Sequence, residues 1–186
     1  MMKPEDISYF ESGKIENIKF WKRLGAKPNF KNKKVLDFGC GHGSLALEIA
    51  NLGAQKVIGI DLNIDLINFA KNNLNQNFPN LKDRVEFEMI DLLKTDKFQD
   101  IDYIVTKDTF EHTLNLDQIL EKFYQILNKD GKALVGFGPL YNFYNGDHGR
   151  AEAILPWFHI IIPEKILIKR LNKKYNKSLN KIEDLG

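Results

Sequence analysis

The chain has 186 residues, enough for one domain with a sizeable core. Its 27 basic and 25 acidic residues leave a formal charge of +2, which excludes a strong one-sign field drawing it to nucleic acid or to an anionic membrane. The single cysteine, Cys40, excludes an internal disulfide; with no apolar signal core at the N-terminus and no apolar run of spanning length, the expectation is a soluble, cytoplasmic protein.

No internal repeat is visible. The chain opens on an amphipathic helix in which Ile7, Phe10, Ile15, Ile18, Trp21 and Leu24 recur between Lys and Glu residues, closed by Gly25 and Pro28. KVLDFG (34–39) is a short apolar run and predicts a buried strand. SLALEIANLG (44–53) predicts a helix stopped by a glycine. KVIGID (56–61) is a second buried strand. A helix over 63–78 places Ile64, Ile67, Ala70 and Leu74 on one face. RVEFEMID (84–91) alternates as a third strand, and IDYIVTKD (101–108) is a fourth. LDQILEKFYQILN (116–128) predicts a helix with Ile119, Leu120, Phe123 and Leu127 inward. KDG (129–131) turns the chain into a fifth strand, KALVGFG (132–138).

Strands that alternate with helices argue a parallel sheet covered on both faces. Ligands of such sheets bind beyond the carboxyl ends of the strands, at the switch point, where VLDFGCGHGSL places a glycine-rich turn. No Lys follows that turn, so it is not a phosphate-binding P-loop. Gly39, Gly41 and Gly43 form G-x-G-x-G, with Ser44 where the third glycine of a dinucleotide turn would fall. Asp37, two positions earlier, would repel a pyrophosphate but not a sulfonium or an amino group.

These residues resemble the class I S-adenosylmethionine-dependent methyltransferases, of the small-molecule kind found in ubiquinone and menaquinone biosynthesis. VLDFGCGHG is similar to their first motif, VIGIDLN to their second strand, FEMIDLL to their third, DYIVTKDTFEHT to their fourth and LNKDGKALVGFGP to their fifth. The resemblance implies a three-layer Rossmann-like fold, a mostly parallel sheet with helices on both faces, and S-adenosyl-L-methionine as cofactor, with S-adenosyl-L-homocysteine as product. It implies that Asp61 takes the ribose hydroxyls and that Asp91, with the backbone at Leu92, reads adenine. Members close the sheet with an antiparallel strand pair after strand five; the tail here reads as a helix and a polar end, so that pair is expected to be missing.

The residues carry their own physical reading. Without Cβ atoms, Gly39, Gly41 and Gly43 let backbone approach a ligand closely. The Asp61 carboxylate can accept two hydroxyl donors, or it caps the helix beginning near Asn63. Leu62 can pack on the adenine face. Asp91 is otherwise a turn residue. Lys107 offers its backbone carbonyl to the methionine amino group. Cys40 reads as a small filler. His42 lines the carboxylate end of the cofactor or is an ordinary loop histidine.

Methyl transfer needs an acceptor held in line and, for a hydroxyl, a base to remove a proton; no metal is required. Glu111 and His112 either face the substrate or begin the next helix. The aromatic stretch 138–167 suits a lid. Within it His148 is the first candidate base and His159 the second, with Tyr141, Tyr144 and Trp157 shaping the pocket and Arg150 meeting an anionic group; His148 as an ordinary loop residue is the alternative. The expected layout is one domain, 1–186: a helical cap (1–32), a cofactor-binding core (33–139) and a lid with a C-terminal helix (140–186). The expected activity is methylation of a small molecule, at a hydroxyl of a sugar or glycan precursor or a natural product. The alternative is a non-catalytic or truncated S-adenosylmethionine-binding protein with a regulatory role. Partners are a small-molecule substrate, no nucleic acid, no membrane, and a possible second copy covering an exposed sheet edge.

Overall fold

The computed structural model describes residues 2–137 and 163–175. The chain divides into two compact units, Met1–Gly136 and Phe137–Gly186.

The first unit runs α1 (Pro4–Arg23), β1 (Lys34–Phe38), α2 (Ser44–Asn51), β2 (Lys56–Asp61), α3 (Ile64–Asn77), β3 (Val85–Met89), β4 (Ile101–Lys107), α4 (Leu116–Ile126) and β5 (Leu127–Gly136). All strand pairs are parallel, in the order β3-β2-β1-β4-β5. The order reverses between β1 and β4, which opens the ligand crevice of a doubly wound sheet there. The second unit's described residues hold one helix, α5 (Glu164–Tyr175), and Lys165, Lys169, Arg170 and Lys173 make its described surface basic. The sheet is the Rossmann-like one expected, and among the described residues no further strand follows β5.

Each strand sends alternate side chains to opposite faces. Val35, Val57, Val85 and Val105 pack under α1, α2 and α3. Leu36, Ile58, Ile60 and Ile104 pack against Ile119, Phe123 and Ile126 of α4. Two-sided burial explains why β1 and β2 read as continuous apolar runs, whereas β3, an edge strand, alternates.

α1 opens with Pro4 and acidic Glu5 and Asp6 and ends with Lys22 and Arg23, which suits the helix dipole. Its buried stripe differs from the expected one. Phe10, Gly13, Asn17, Phe20 and Trp21 face inward, whereas Ile7, Ile15 and Ile18 are exposed. The reason is steric and polar. A Cβ on Gly13 would lie 2.5 Å from Ser44 Oγ, so glycine lets α1 approach α2, and Asn17 meets a buried polar partner described below. Trp21 Nε1 donates to Glu48 Oε1 at 3.0 Å, and Lys27 pairs with the same carboxylate at 2.6 Å. Rings continue from Phe20 through Trp21 and Phe30 to Tyr103 on β4. Phe20 lies over Gly136, where a Cβ would come within 2.6 Å of its ring.

Further local expectations are corrected. Ile64 and Leu120 are exposed rather than inward, and Phe69, Asn73 and Ile126 take core positions. Residues 129–131 form no separate turn. They sit inside β5 as an irregularity, where Leu127 pairs with Ile101 and the next partner of β4, Tyr103, meets Lys132; Asp130 N donates to Asn128 Oδ1 within it. Glu111 and His112 do not begin α4; they lie in a separate 3-10 turn, Phe110–His112.

Phe20→Ala is expected to lower stability by about 3–5 kcal/mol in urea unfolding. Ile18→Ser on the exposed face should stay within about 0.5 kcal/mol.

Candidate cofactor site

The turn after β1 is built from backbone. Gly39 N and Cys40 N both donate to Ile60 O, at 2.9 and 3.0 Å, and Gly43 N closes back on Cys40 O at 2.9 Å. Gly39, Gly41 and Gly43 take φ of +73°, +51° and +82°, a region open to glycine at little cost. Their surroundings differ. A Cβ on Gly39 would strike Thr109 at 2.3 Å and one on Gly43 would strike Phe87 at 2.6 Å, but one on Gly41 would meet nothing within 4 Å. The middle glycine therefore borders open space.

Asp61, at the end of β2, holds the turn in place: its Oδ2 accepts from Gly41 N at 2.9 Å and its Oδ1 from Asn63 N at 2.9 Å. Each oxygen keeps a further lone pair. Helix α3 is capped by Asn63, whose Oδ1 accepts from Asp65 N, so Asp61 is not its cap. Leu62, 72% exposed, follows Asp61, and Met89, the register partner of Asp61 on β3, is 52% exposed. Met89 was not singled out from the sequence, although an exposed apolar residue closing a buried strand is the signal that would have found it.

Asp37, on β1 at the switch point, is 1% exposed, and its Oδ2 has no hydrogen-bond partner among the described residues. Burial raises its pKa to about 7; nearby Asp61 also raises it, while the Lys107 ammonium pulls it down. Lys107 closes β4 on the same crevice. Its Nζ donates to Asn17 Oδ1 at 2.7 Å, joining β4 to α1, and burial lowers its pKa against the pull of Asp37, Asp108, Glu16 and Glu48. Its backbone carbonyl accepts from Thr109 Oγ1 at 3.1 Å. Asn17 was missed from the sequence, since nothing local marks a polar residue inside a helix as facing inward.

The remaining expected residues are placed as follows. Cys40 is buried and its thiol is pushed up by burial, in keeping with a filler. His42 packs between α1 and α3, with Nε2 3.1 Å from Asp6 Oδ1 and its ring against Tyr9 and Phe69. Asp91 Oδ1 caps the 3-10 turn Leu92–Lys94, and Oδ2 pairs with Lys94 at 2.9 Å, which lowers its pKa. Leu92 has its side chain in the core, leaving its backbone for any ligand. Glu111 is half-buried, and its Oε2 has no partner among the described residues; His112 is exposed. Tyr141, Tyr144, His148, Arg150, Trp157 and His159 lie outside the described residues. No group of three or more His, Cys, Asp or Glu suited to a metal ion occurs among the described residues, and no helix there is long and apolar enough to cross a membrane.

A cleft of about 240 Å³ opens at the other end of the sheet, beside Lys33, Asp102 and Asn128. Asp102 is already satisfied there by Lys33 Nζ, Lys34 N and Asn128 Nδ2, so the cleft serves the fold.

A family model described as a methyltransferase domain matches residues 29–137. The chain belongs to the class I S-adenosylmethionine-dependent methyltransferases. It is 33% identical over 129 residues to phosphoethanolamine N-methyltransferase 3 of Arabidopsis thaliana, covering 68% of this chain and 25% of that one. It is 29% identical over 194 residues to a ubiquinone biosynthesis O-methyltransferase of Pelagibacter ubique, covering 98% of this chain and 76% of the relative. Among solved structures, the PH0226 protein from Pyrococcus horikoshii is similar with a TM-score of 0.54 and 28% identity over 64% of this chain and 56% of that one. The chain thus spans about a quarter of the length of the plant relative.

The family cofactor is S-adenosyl-L-methionine, and the methyltransferase turn fits it. The cofactor has no phosphate, so the turn needs room rather than Lys, and Gly41 leaves room. It carries an ammonium, and Asp37 presents a buried oxygen with no partner among the described residues.

Gly41→Ala is expected to fold with a modest loss and to lose S-adenosyl-L-homocysteine binding in calorimetry, because its methyl group fills the open space. Gly43→Ala should instead lower the melting temperature sharply, since Phe87 must move. Asp37 gives a pH signature. Its folded pKa of about 7 lies above its ordinary value of 3.8, so its stabilising contribution is full below pH 4 and is lost as pH rises to 7. Asp37→Asn should therefore gain stability over wild type across that interval, by a few kcal/mol at pH 8, while binding cofactor less well; parallel stability curves would refute this.

Proposed function

We propose that this chain transfers a methyl group from S-adenosyl-L-methionine to a hydroxyl of a small molecule. The observation that carries the reading is the buried Asp37 oxygen at the switch point, without a partner among the described residues, together with the open space at Gly41. When bound, the cofactor supplies an electrophilic methyl group on a sulfonium. The chain's own residues do the rest. Asp61 holds the turn and keeps lone pairs toward a ribose, while exposed Leu62 and Met89 flank a flat adenine. The backbone at Asp91 and Leu92 borders the same end of the sheet.

Glu111 is the described residue best suited to take a proton from the acceptor. It follows β4, and one of its carboxylate oxygens is buried without a partner among the described residues. By sequence, His148 is the first candidate base and His159 the second, and both lie outside the described residues; His112 is exposed. Oxygen as the target atom is supported by the O-methyltransferase named in Pelagibacter ubique, which aligns with nearly the whole chain; the relatives' names do not point to a sugar. The layout of cap, core and lid over 1–32, 33–139 and 140–186, a cytoplasmic location, a possible homodimer and independence from nucleic acid belong to the same proposal.

Calorimetry with S-adenosyl-L-homocysteine should show binding to the wild type, and absence of binding would end the proposal. With an acceptor in hand, Glu111→Gln should cut turnover by about 10²–10⁴ with homocysteine-product affinity unchanged. Undiminished turnover would remove Glu111 from the chemistry.

A further inference from the structure

Two buried polar groups and one half-buried ammonium around the crevice have chemistry that one ligand end would complete. Asp37 Oδ2 is an acceptor without a partner, and Asn17 Nδ2 is a donor without one, among the described residues. Asn17 is 0% exposed and Asp37 1%. The Lys107 ammonium interacts with both residues. It spends one proton on Asn17 Oδ1 and has others to give. Asp37 and Lys107 point to the same face of the sheet, because Asp37 pairs with Val105 and Lys107 lies two residues further along β4. The set is one anion, one cation and one amide N–H₂ at the carboxyl ends of adjacent strands.

A lone cation would satisfy only Asp37, and a lone anion only Lys107 and Asn17. A zwitterion satisfies all three. We propose that Lys107 and Asn17 bind the carboxylate of the cofactor's amino-acid end through their side chains, with Asp37 facing its ammonium. This rests on the assignment of S-adenosyl-L-methionine as cofactor and goes beyond it by giving the Lys107 side chain and an α1 residue a ligand-binding role. Asp108, Glu16 and Glu48 lie close enough to favour the charged form of Lys107. Asn17 also explains why α1 turns Gly13 and Asn17 inward instead of its isoleucines: the helix delivers a donor to the site.

The test compares three ligands by calorimetry. S-adenosyl-L-homocysteine has both charged groups, S-adenosyl-3-thiopropylamine lacks the carboxylate, and 5′-methylthioadenosine lacks both. The wild type should bind the first about 10- to 100-fold more tightly than the second, the usual span for charge-assisted hydrogen bonds. Lys107→Met should lose that margin, so that S-adenosyl-L-homocysteine no longer binds more tightly than the amine. Asn17→Asp, isosteric and able to keep the bond to Lys107, sets a carboxylate against the ligand's own and should weaken only the carboxylate-bearing ligand. It serves as the deciding variant if Lys107→Met does not fold. Equal losses for both ligands, or no preference in the wild type, would overturn the proposal while leaving the cofactor assignment intact. Failure of the wild type to bind any of the three would overturn both.

Discussion

Two N–H groups sharing one carbonyl set the geometry of this protein. Gly39 and Cys40 both donate to Ile60 O, so the carboxyl ends of β1 and β2 cannot separate or slip. Gly41 then reaches Asp61, and the acid that ends one strand holds the turn that follows its neighbour. Side-chain contacts alone would leave such a turn free to collapse. Backbone bonds keep it open, and positive φ at three glycines is the condition for making them. The space beside Gly41 exists because the chain around it is already satisfied.

The same end of the sheet holds groups that a purely structural protein would have no reason to retain. A carboxylate buried without a full set of partners costs stability, and Asp37 lies two residues beyond Val35 on β1 and opposite Val105 on β4, where an apolar residue would pack well. Local consistency fails at functional sites, and Asp37 and Asn17 are two such failures here. The apolar core is divided between the two faces of the sheet.

The strands and the glycine turn were legible in the sequence because their signals are local. Apolar runs bounded by turn residues mark strands buried on both sides, and G-x-G-x-G after such a run marks the crevice. What could not be read depends on contacts between distant residues. The inner face of α1 runs through Gly13 and Asn17, which an apolar pattern ignores; the exposed isoleucines carried the periodicity instead. His42 read as a ligand-lining residue or as an ordinary loop histidine, and its contacts with Asp6, Tyr9 and Phe69 come from elements far along the chain. Lys107 was read for its carbonyl because strand position predicts backbone geometry, whereas the path of a long side chain depends on what lies above it. Asp91 was read for its place after the third strand, and the structure adds a cap and an ion pair that no motif encodes.

The bond between Lys107 and Asn17 spans 90 positions of sequence. Neither residue can drift alone in evolution. An apolar replacement at position 17 would strand an ammonium beneath the helix, and loss of the lysine would leave an amide facing carboxylates, so a tolerated change at one should arrive with a change at the other. Divergence at this pair is epistatic, and a homologue lacking the lysine should also have re-dressed the underside of its first helix.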